Sequence, residues 1–338
     1  MIVVQNRALE FVNTNSSDRM VEMVSRTFAL SIKKLPRTLR EAVGLAYLLF
    51  RVSDCLEDHP GMGAERKVNL LEIWERVLLG REPAGLFVSK ISDLDSNDPE
   101  VYVAQHAESL IKTLDSMPSE LGEFIRARCG RSTLGMARWQ RQGPHIDTVD
   151  ELDDYMHQVA GRVGYLMTDI YTWYYPQLRE KKEAMLPISR QVGLGLQTVN
   201  VIRGLRKDQD RGWVFFPLEL LTSVGINRQQ FFEREFEREA LQALNLLIQK
   251  AQGHLNHGLI YIAAFPFYLY RARMANIWPL CFALKTLAIS RDNPEVIRGQ
   301  VKISRRDVRE IMRATSIFGL SDRWLLGYCS RLNEGGLF

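Results

Sequence analysis

The sequence is poor in the features that mark disulfide frameworks, zinc sites and membrane spans. Its four cysteines contain no Cys-x-x-Cys pair, which argues against a structural zinc site or a disulfide framework. No apolar run reaches the roughly 18–20 residues that a membrane-spanning helix needs, because Arg271 and Arg273 separate the two richest segments, 258–270 and 277–289. The amino terminus lacks the charged leader and apolar core of a secretory signal. We therefore expect a protein of the reducing cytoplasm.

The charge of the chain gives no indication of nucleic-acid binding. Its net charge of +4 arises from 44 basic and 40 acidic residues, and the basic residues are scattered along the sequence. One segment combines aromatic and basic residues, Phe265–Tyr270 followed by Arg271 and Arg273. This composition is compatible with peripheral contact at the inner face of a membrane, and an ordinary core helix is the alternative.

Apolar residues recur at helical spacing along most of the chain, and no segment shows the alternation of a half-buried strand. Thr148 precedes Val149-Asp150-Glu151 and is a predicted helix N-cap. No linker or low-complexity segment interrupts the chain, so residues 1–338 are expected to form a single all-α domain. The predicted helices are 19–33, 39–54, 65–79, 100–116, 119–141, 149–174, 181–208, 228–256, 259–271, 275–290 and 305–315.

A cluster of carboxylates ends the second predicted helix. Glu57 and Asp58 follow Asp54 by three and four residues, so the three carboxylates are expected to project to one side of the helix, with Arg51 one turn behind. Carboxylates this close raise each other's pKa and cost stability unless a partner neutralises them. A solvated acidic helix end is one interpretation. The other is a Mg²⁺ ion that also binds substrate phosphates.

A second polar stripe lies on the predicted helix 181–208. Asn200, Gly204 and Asp208 follow one another at i, i+4 and i+8, and Arg203 and Lys207 form an adjacent basic stripe. Two such stripes can face each other across a helical cavity. The pair of motifs therefore suggests a magnesium-dependent diphosphate site.

Four segments resemble the successive signatures of the squalene and phytoene synthase family, in order and in spacing. Two short sequences, Tyr47-Leu-Leu-Phe-Arg51 and Phe215-Phe-Pro217, are more similar to the squalene branch than to the phytoene branch. With the shorter matches Gly135-Met-Ala137 and Val301-Lys-Ile303, the resemblance covers nearly the whole chain. The four segments are Ser25–Phe28, Tyr47–Asp58, Tyr155–Gly164 and Leu196–Pro217.

The resemblance implies an isoprenoid synthase fold, with helices around a central cavity. It further implies a Mg²⁺-dependent prenyltransferase that condenses two prenyl diphosphates, of which farnesyl diphosphate is the expected substrate, head-to-head to presqualene diphosphate or squalene. The implied metal ligands are Asp54, Glu57, Asp58, Asn200 and Asp208. The implied diphosphate contacts are Ser25, Arg26, Arg51, Gln197 and Arg203. The implied catalytic residues are Asp54, Asp58, Tyr155, Asn200 and Asp208.

The chain departs from the family pattern at four positions. Gly204 stands where a metal-binding aspartate is usual, and Lys207 stands at a position that is commonly acidic. Gln158 replaces a tyrosine and Trp213 replaces an arginine. The changes at Gly204 and Lys207 predict weaker Mg²⁺ binding on the predicted helix 181–208, where a basic residue such as Lys207 or Arg206 is an alternative contact for diphosphate. The other two changes remove groups that could handle protons or phosphate.

Three functions remain open at this point. The chain is a head-to-head condensing enzyme with an altered metal site, an enzyme that ionises a single prenyl diphosphate, or a silent homologue that binds a lipid. A plain helical scaffold does not explain the ordered polar motifs. NADPH use also stays open, because any site would be built from scattered basic residues such as Lys302, Arg305 and Arg306. The Gly161 and Gly164 pair has two interpretations, close approach of substrate or close helix packing.

Overall fold

A computed structural model describes residues 14–25 and 28–334, and within these ranges the chain is helical and contains no β-strand. One isolated bridge joins His145 to Val214. A turn of π-helix, His157–Gly161, separates two of the α-helices, and short 3₁₀ segments span Pro176–Lys181, Gln230–Phe232 and Arg234–Phe236. The α-helices are α1 Thr14–Val24, α2 Phe28–Lys34, α3 Arg37–Asp58, α4 Ala64–Leu78, α5 Ala84–Lys90, α6 Pro99–Gln105, α7 Ala107–Asp115, α8 Ser119–Gln142, α9 Val149–Met156, α10 Arg162–Tyr174, α11 Lys182–Asp210, α12 Leu218–Ser223, α13 Glu237–Ala263, α14 Tyr270–Ser290, α15 Glu295–Arg298, α16 Arg305–Phe318 and α17 Asp322–Asn333.

Six of these helices surround an apolar cavity of about 290 Å³. Helices α2, α3, α10, α11, α13 and α14 each contribute side chains to its wall, and the π-helical turn adds Val159 and Ala160. Val159 also packs against both of the large groups of buried apolar residues in the molecule. The prediction of an all-α fold around a central cavity is therefore confirmed.

Most predicted helices are found, although several boundaries differ. The predicted N-cap is confirmed, since the Thr148 side chain accepts a hydrogen bond from the Glu151 backbone N–H in a capping box. A helix boundary near residue 257 was wrong, because α13 continues through Gly258 to Ala263. A Cβ atom at Gly258 would lie 2.8 Å from the Leu280 side chain. Tight packing of α13 on α14 thus outweighs the low helix propensity of glycine there.

The π-helical turn and α11 approach each other closely beside the cavity. A Cβ atom at Gly193 of α11 would lie 2.4 Å from the carbonyl oxygen of Ala160. Only glycine fits at such a backbone contact. The close approach fixes how the polar stripe of α11 is presented to the cavity.

Candidate active site

Polar residues from the two predicted stripes line part of the cavity wall. Arg51 and Asp54 of α3 line the cavity together with Gln197 and Asn200 of α11. The Asn200 side-chain amide donates a hydrogen bond of 3.1 Å to Gln197 Oε1. The structure thus brings together four residues that the sequence placed in one site. We call these four residues the polar rim.

Arg51 neutralises the carboxylate of the polar rim. Its Nη1 lies 2.8 Å from Asp54 Oδ2, and its Nη2 pairs with Glu100 of α6. Burial raises the pKa of Asp54 to about 6, an effect that Arg51 partly offsets and that Asp58 increases. Asp54 is therefore an ionised but poorly solvated carboxylate at neutral pH, as expected of a group that awaits a cation or a hydrogen-bond donor.

A guanidinium joins the two motif helices next to the polar rim. Arg211 Nη1 lies 2.8 Å from Asp58 Oδ1, and Arg211 Nη2 lies 2.5 Å from Asp208 Oδ1. The same side chain donates a hydrogen bond of 3.2 Å to the backbone oxygen of Asp58. We call this arrangement the arginine bridge. Sequence reasoning missed Arg211, for which the only local signal was its i+3 spacing from Asp208.

Glu57 points away from the cavity and into a neighbouring cleft of about 460 Å³. Asp58, Lys67, Gln140, Arg211 and Trp213 also line this cleft. Glu57 is 5% exposed, and its Oε1 has no hydrogen-bond partner among the described residues. Burial and the neighbouring Asp58 and Asp54 raise the pKa of Glu57 well above its usual value. Burial therefore favours the neutral form of this carboxyl, and its role as a metal ligand stays a prediction.

Tyr155 lies behind the site instead of in the wall of either cavity. Its ring stacks on Phe215 with 4.6 Å between the ring centres. Phe215 also stacks on Trp213, with 5.2 Å between the ring centres. Burial and the nearby carboxylates raise the pKa of Tyr155 well above 10. A neutral, buried hydroxyl in this position supports the turn after α11, and its predicted catalytic role stays a prediction.

Gln158 belongs to a different network. Its side chain donates to Asp154 Oδ1 at 3.0 Å and accepts from Arg162 Nε at 2.8 Å. His157 beside it accepts a hydrogen bond of 3.3 Å from Arg190 Nε. Burial, followed by Arg162 and Arg190, lowers the pKa of His157 to about 4, so this histidine is neutral under physiological conditions.

The remaining predicted diphosphate contacts occupy three different situations. Ser25 is buried and its hydroxyl accepts a 3.3 Å hydrogen bond from the Ala29 backbone N–H, at the start of α2. Arg26 lies outside the described residues. Arg203 is half-buried, burial lowers its pKa, and it forms no ion pair within the described part of the chain. An unpaired guanidinium one turn from Asn200 is available for an anionic ligand.

No ready-made metal cluster is assembled in the described ranges. Within residues 14–25 and 28–334, no group of three or more His, Cys, Asp or Glu side chains is gathered closely enough to hold a metal ion. The reason is that Glu57 turns into the cleft and that arginines occupy the space beside Asp54, Asp58 and Asp208. A metal ion at this site therefore needs ligands from the substrate as well.

Two further predicted surfaces differ from expectation in their details. Arg273 is buried and donates to the backbone oxygens of Ile262 and Phe265, so it caps α13 and is not part of an interfacial patch. Phe267 and Tyr268 remain 68% and 61% exposed. No helix in the described residues is long and apolar enough to cross a membrane.

The cavity walls do not include the residues considered for NADPH, Lys302, Arg305 and Arg306.

Comparisons with known proteins agree with this architecture. Squalene synthase of Homo sapiens is 28% identical over 308 residues, which are 88% of this chain and 69% of that protein. Squalene synthase of Nicotiana benthamiana is 29% identical over 297 residues, which are 85% of this chain and 66% of that protein.

A solved structure described as the complex of TcSQS with the ligand BPH1237 has the same fold. It aligns with a TM-score of 0.78 at 23% identity and covers 94% of this chain and 90% of that one. The family model for squalene/phytoene synthase matches residues 21–307. The chain therefore belongs to the squalene/phytoene synthase family.

Proposed function

We propose that this protein condenses two prenyl diphosphates head-to-head, with farnesyl diphosphate as the substrate. The observation that carries the proposal is that the polar rim and many apolar side chains line one cavity enclosed by six helices. A prenyl diphosphate needs both parts, since its head is charged and its tail is a long hydrocarbon. The names of the relatives, which are squalene synthases, support the same assignment.

Different residues of the site contact the diphosphate head and the hydrocarbon tail of the substrate in the proposed reaction. Breaking the allylic C–O bond releases diphosphate and leaves a carbocation, which the double bond of the second chain attacks with loss of a proton. We expect Arg51, which lines the cavity, and Arg203 to bond the oxygens of the departing diphosphate, for which the planar guanidinium is well suited. The apolar walls exclude water, which would otherwise capture the cation. The resulting product is presqualene diphosphate.

The first motif supplies two carboxylates for a magnesium ion, whereas the second supplies one. Asp54 and Asp58 are one turn apart on α3 and supply two carboxylates, which is the usual protein share of a Mg²⁺ site that also binds phosphate. On α11, Gly204 has no side chain, so Asp208 is the single carboxylate among these motif positions, and Arg211 contacts it as well as Asp58. We propose that Asp54 and Asp58 hold Mg²⁺. When bound, the ion supplies charge stabilisation to the leaving diphosphate.

One experiment separates this function from its alternatives. The protein is incubated with geranyl, farnesyl and geranylgeranyl diphosphate, with and without Mg²⁺ and NADPH, and the products are identified by mass. A product that contains two chains supports the proposal, and its C30 mass identifies farnesyl diphosphate. A product with one chain indicates an enzyme that ionises a single substrate. The absence of any product under all conditions would reject catalysis. The dependence on NADPH shows whether the reaction continues to squalene.

A further inference from the structure

We propose that Arg211 supplies the cationic charge of the second wall of the site, where it takes the place of a metal ion and binds substrate diphosphate directly. This inference rests on the proposed function, because it assumes that a diphosphate enters between α3 and α11. It assigns a role to a residue outside the motif positions that the sequence singled out.

The arginine bridge has the geometry expected of a cation held by both walls. One guanidinium contacts a carboxylate of each motif, at 2.8 Å to Asp58 Oδ1 and 2.5 Å to Asp208 Oδ1. The Arg211 side chain is only 18% exposed. A single positive group thus lies where two carboxylates from different helices converge. Arginine is well suited to this position because it stays charged and has five donors, more than two carboxylates use.

The surroundings of Asp208 favour a guanidinium over a metal ion. A Cβ atom at Gly204 would lie 2.9 Å from Asp208 Oδ2, so position 204 faces Asp208 but offers it no second carboxylate. Lys207, next to Asp208 in sequence, adds a second positive charge near this carboxylate. One carboxylate, already paired and beside two cations, is a poor site for a divalent ion.

The turn that carries Arg211 is held in place. Gly212 adopts a positive φ of 78°, and the Trp213 backbone N–H donates a 2.8 Å hydrogen bond to the Asp208 carbonyl oxygen. Trp213 then stacks on Phe215, which stacks on Tyr155. The aromatic stack fixes the direction in which Arg211 leaves the helix. The bridge is therefore built into the fold, and a ligand can share a guanidinium that is already in position.

The test measures binding without turnover, so it is independent of whether any product forms. Free Mn²⁺ is followed by electron paramagnetic resonance, and inorganic pyrophosphate binding is followed by calorimetry with EDTA present. Removing the charge in Arg211→Gln frees Asp58 and Asp208 for metal. We expect Mn²⁺ to bind at least tenfold more tightly, or one additional ion to bind, and metal-free pyrophosphate to bind at least tenfold more weakly.

Two controls make the result specific. Arg211→Lys keeps the charge and is expected to retain pyrophosphate binding within a few-fold and Mn²⁺ binding close to wild type. Arg66→Gln removes an arginine from an exposed ion pair with Asp93 and is expected to change neither measurement. Circular dichroism and thermal melts confirm that each variant is folded. The inference is overturned if a folded Arg211→Gln protein binds Mn²⁺ and pyrophosphate as the wild type does, because the bridge would then be only a structural ion pair.

Discussion

Gly164 of α10 lies against the backbone of Ser189 in α11, so closely that a Cβ atom at Gly164 would come within 2.2 Å of the Ser189 carbonyl oxygen. No side chain at position 164 avoids this oxygen without moving a helix. Both residues also line the cavity, so the contact sets the separation of two of its walls. Of the two interpretations of this glycine, close helix packing is the one that the geometry favours.

Replacing this glycine is expected to destabilise the protein. Gly164→Ala forces α10 and α11 apart and should lower the free energy of unfolding by about 1–3 kcal/mol, the usual cost of overpacking. Gly253→Ala is the matched control, because Gly253 lies in α13 and has nothing within 4 Å of its added Cβ atom. That variant should be neutral or stabilised by about 1 kcal/mol. Urea denaturation measures both, and equal stabilities would contradict the packing interpretation.

The carboxylates of the first motif are expected to be essential for turnover. Asp54→Asn or Asp58→Asn removes a charged metal ligand and should lower kcat by a factor of the order of 10² or more, since each ligand contributes to stabilising the leaving group. Asp93→Asn, in an exposed ion pair, serves as the control and should be fully active. If either motif variant has the kcat of the wild type at saturating Mg²⁺, α3 is not part of the ionisation site.

The stability difference between the Asp54→Asn variant and the wild type is expected to depend on pH. The folded-state pKa of Asp54, about 6, lies above the ordinary value of 3.8, so ionisation of this residue costs stability as the pH rises through 6. Below pH 4 the carboxyl is protonated in both states and the cost disappears. In EDTA, the variant should exceed wild type by about 1–3 kcal/mol at pH 8 and by much less at pH 4.5. A constant difference across this range would show that the pKa is not raised.

Restoring acidic residues on α11 is expected to create metal affinity. In Gly204→Asp with Lys207→Glu, a new carboxylate lies next to Asp208, and a competing cation is removed. Mn²⁺ should bind several-fold more tightly, and the gain should be larger when Arg211→Gln is added, because the three changes act on one site. Unchanged Mn²⁺ affinity in both backgrounds would show that α11 does not face the metal. The product yield from farnesyl diphosphate reports whether the exchange raises or lowers condensation.

An exposed aromatic pair provides a test of membrane contact. Phe267 and Tyr268 pack edge to face at 5.7 Å between ring centres and project into solvent. If they enter a lipid surface, the protein should co-float with anionic liposomes, and Phe267→Ser with Tyr268→Ser should reduce the floating fraction several-fold. Leu134→Ser, which removes an exposed apolar residue from α8, is the control. If the wild-type protein stays at the bottom of the gradient, the predicted membrane contact is wrong.

The sequence by itself determined the helices and the two polar stripes. Both depend on rules that act over at most one turn of helix, such as the 3.6-residue period and the capping box at Thr148. The same periodicity placed Asn200, Gly204 and Asp208 on one face of α11. The order of the motifs along the chain was enough to recognise the family, since it requires no knowledge of distances.

Only the tertiary structure decided which of these groups meet. Asp58 and Arg211 are 153 residues apart in sequence, and they meet because the tertiary structure brings the end of α3 close to the end of α11. The same packing turned Glu57 away from Asp54 and into the cleft. It also buried Arg273 against carbonyl groups of α13. A local pattern shows that a residue lies on a polar or an apolar face, but its partner on another helix depends on how closely and at what angle the helices pack.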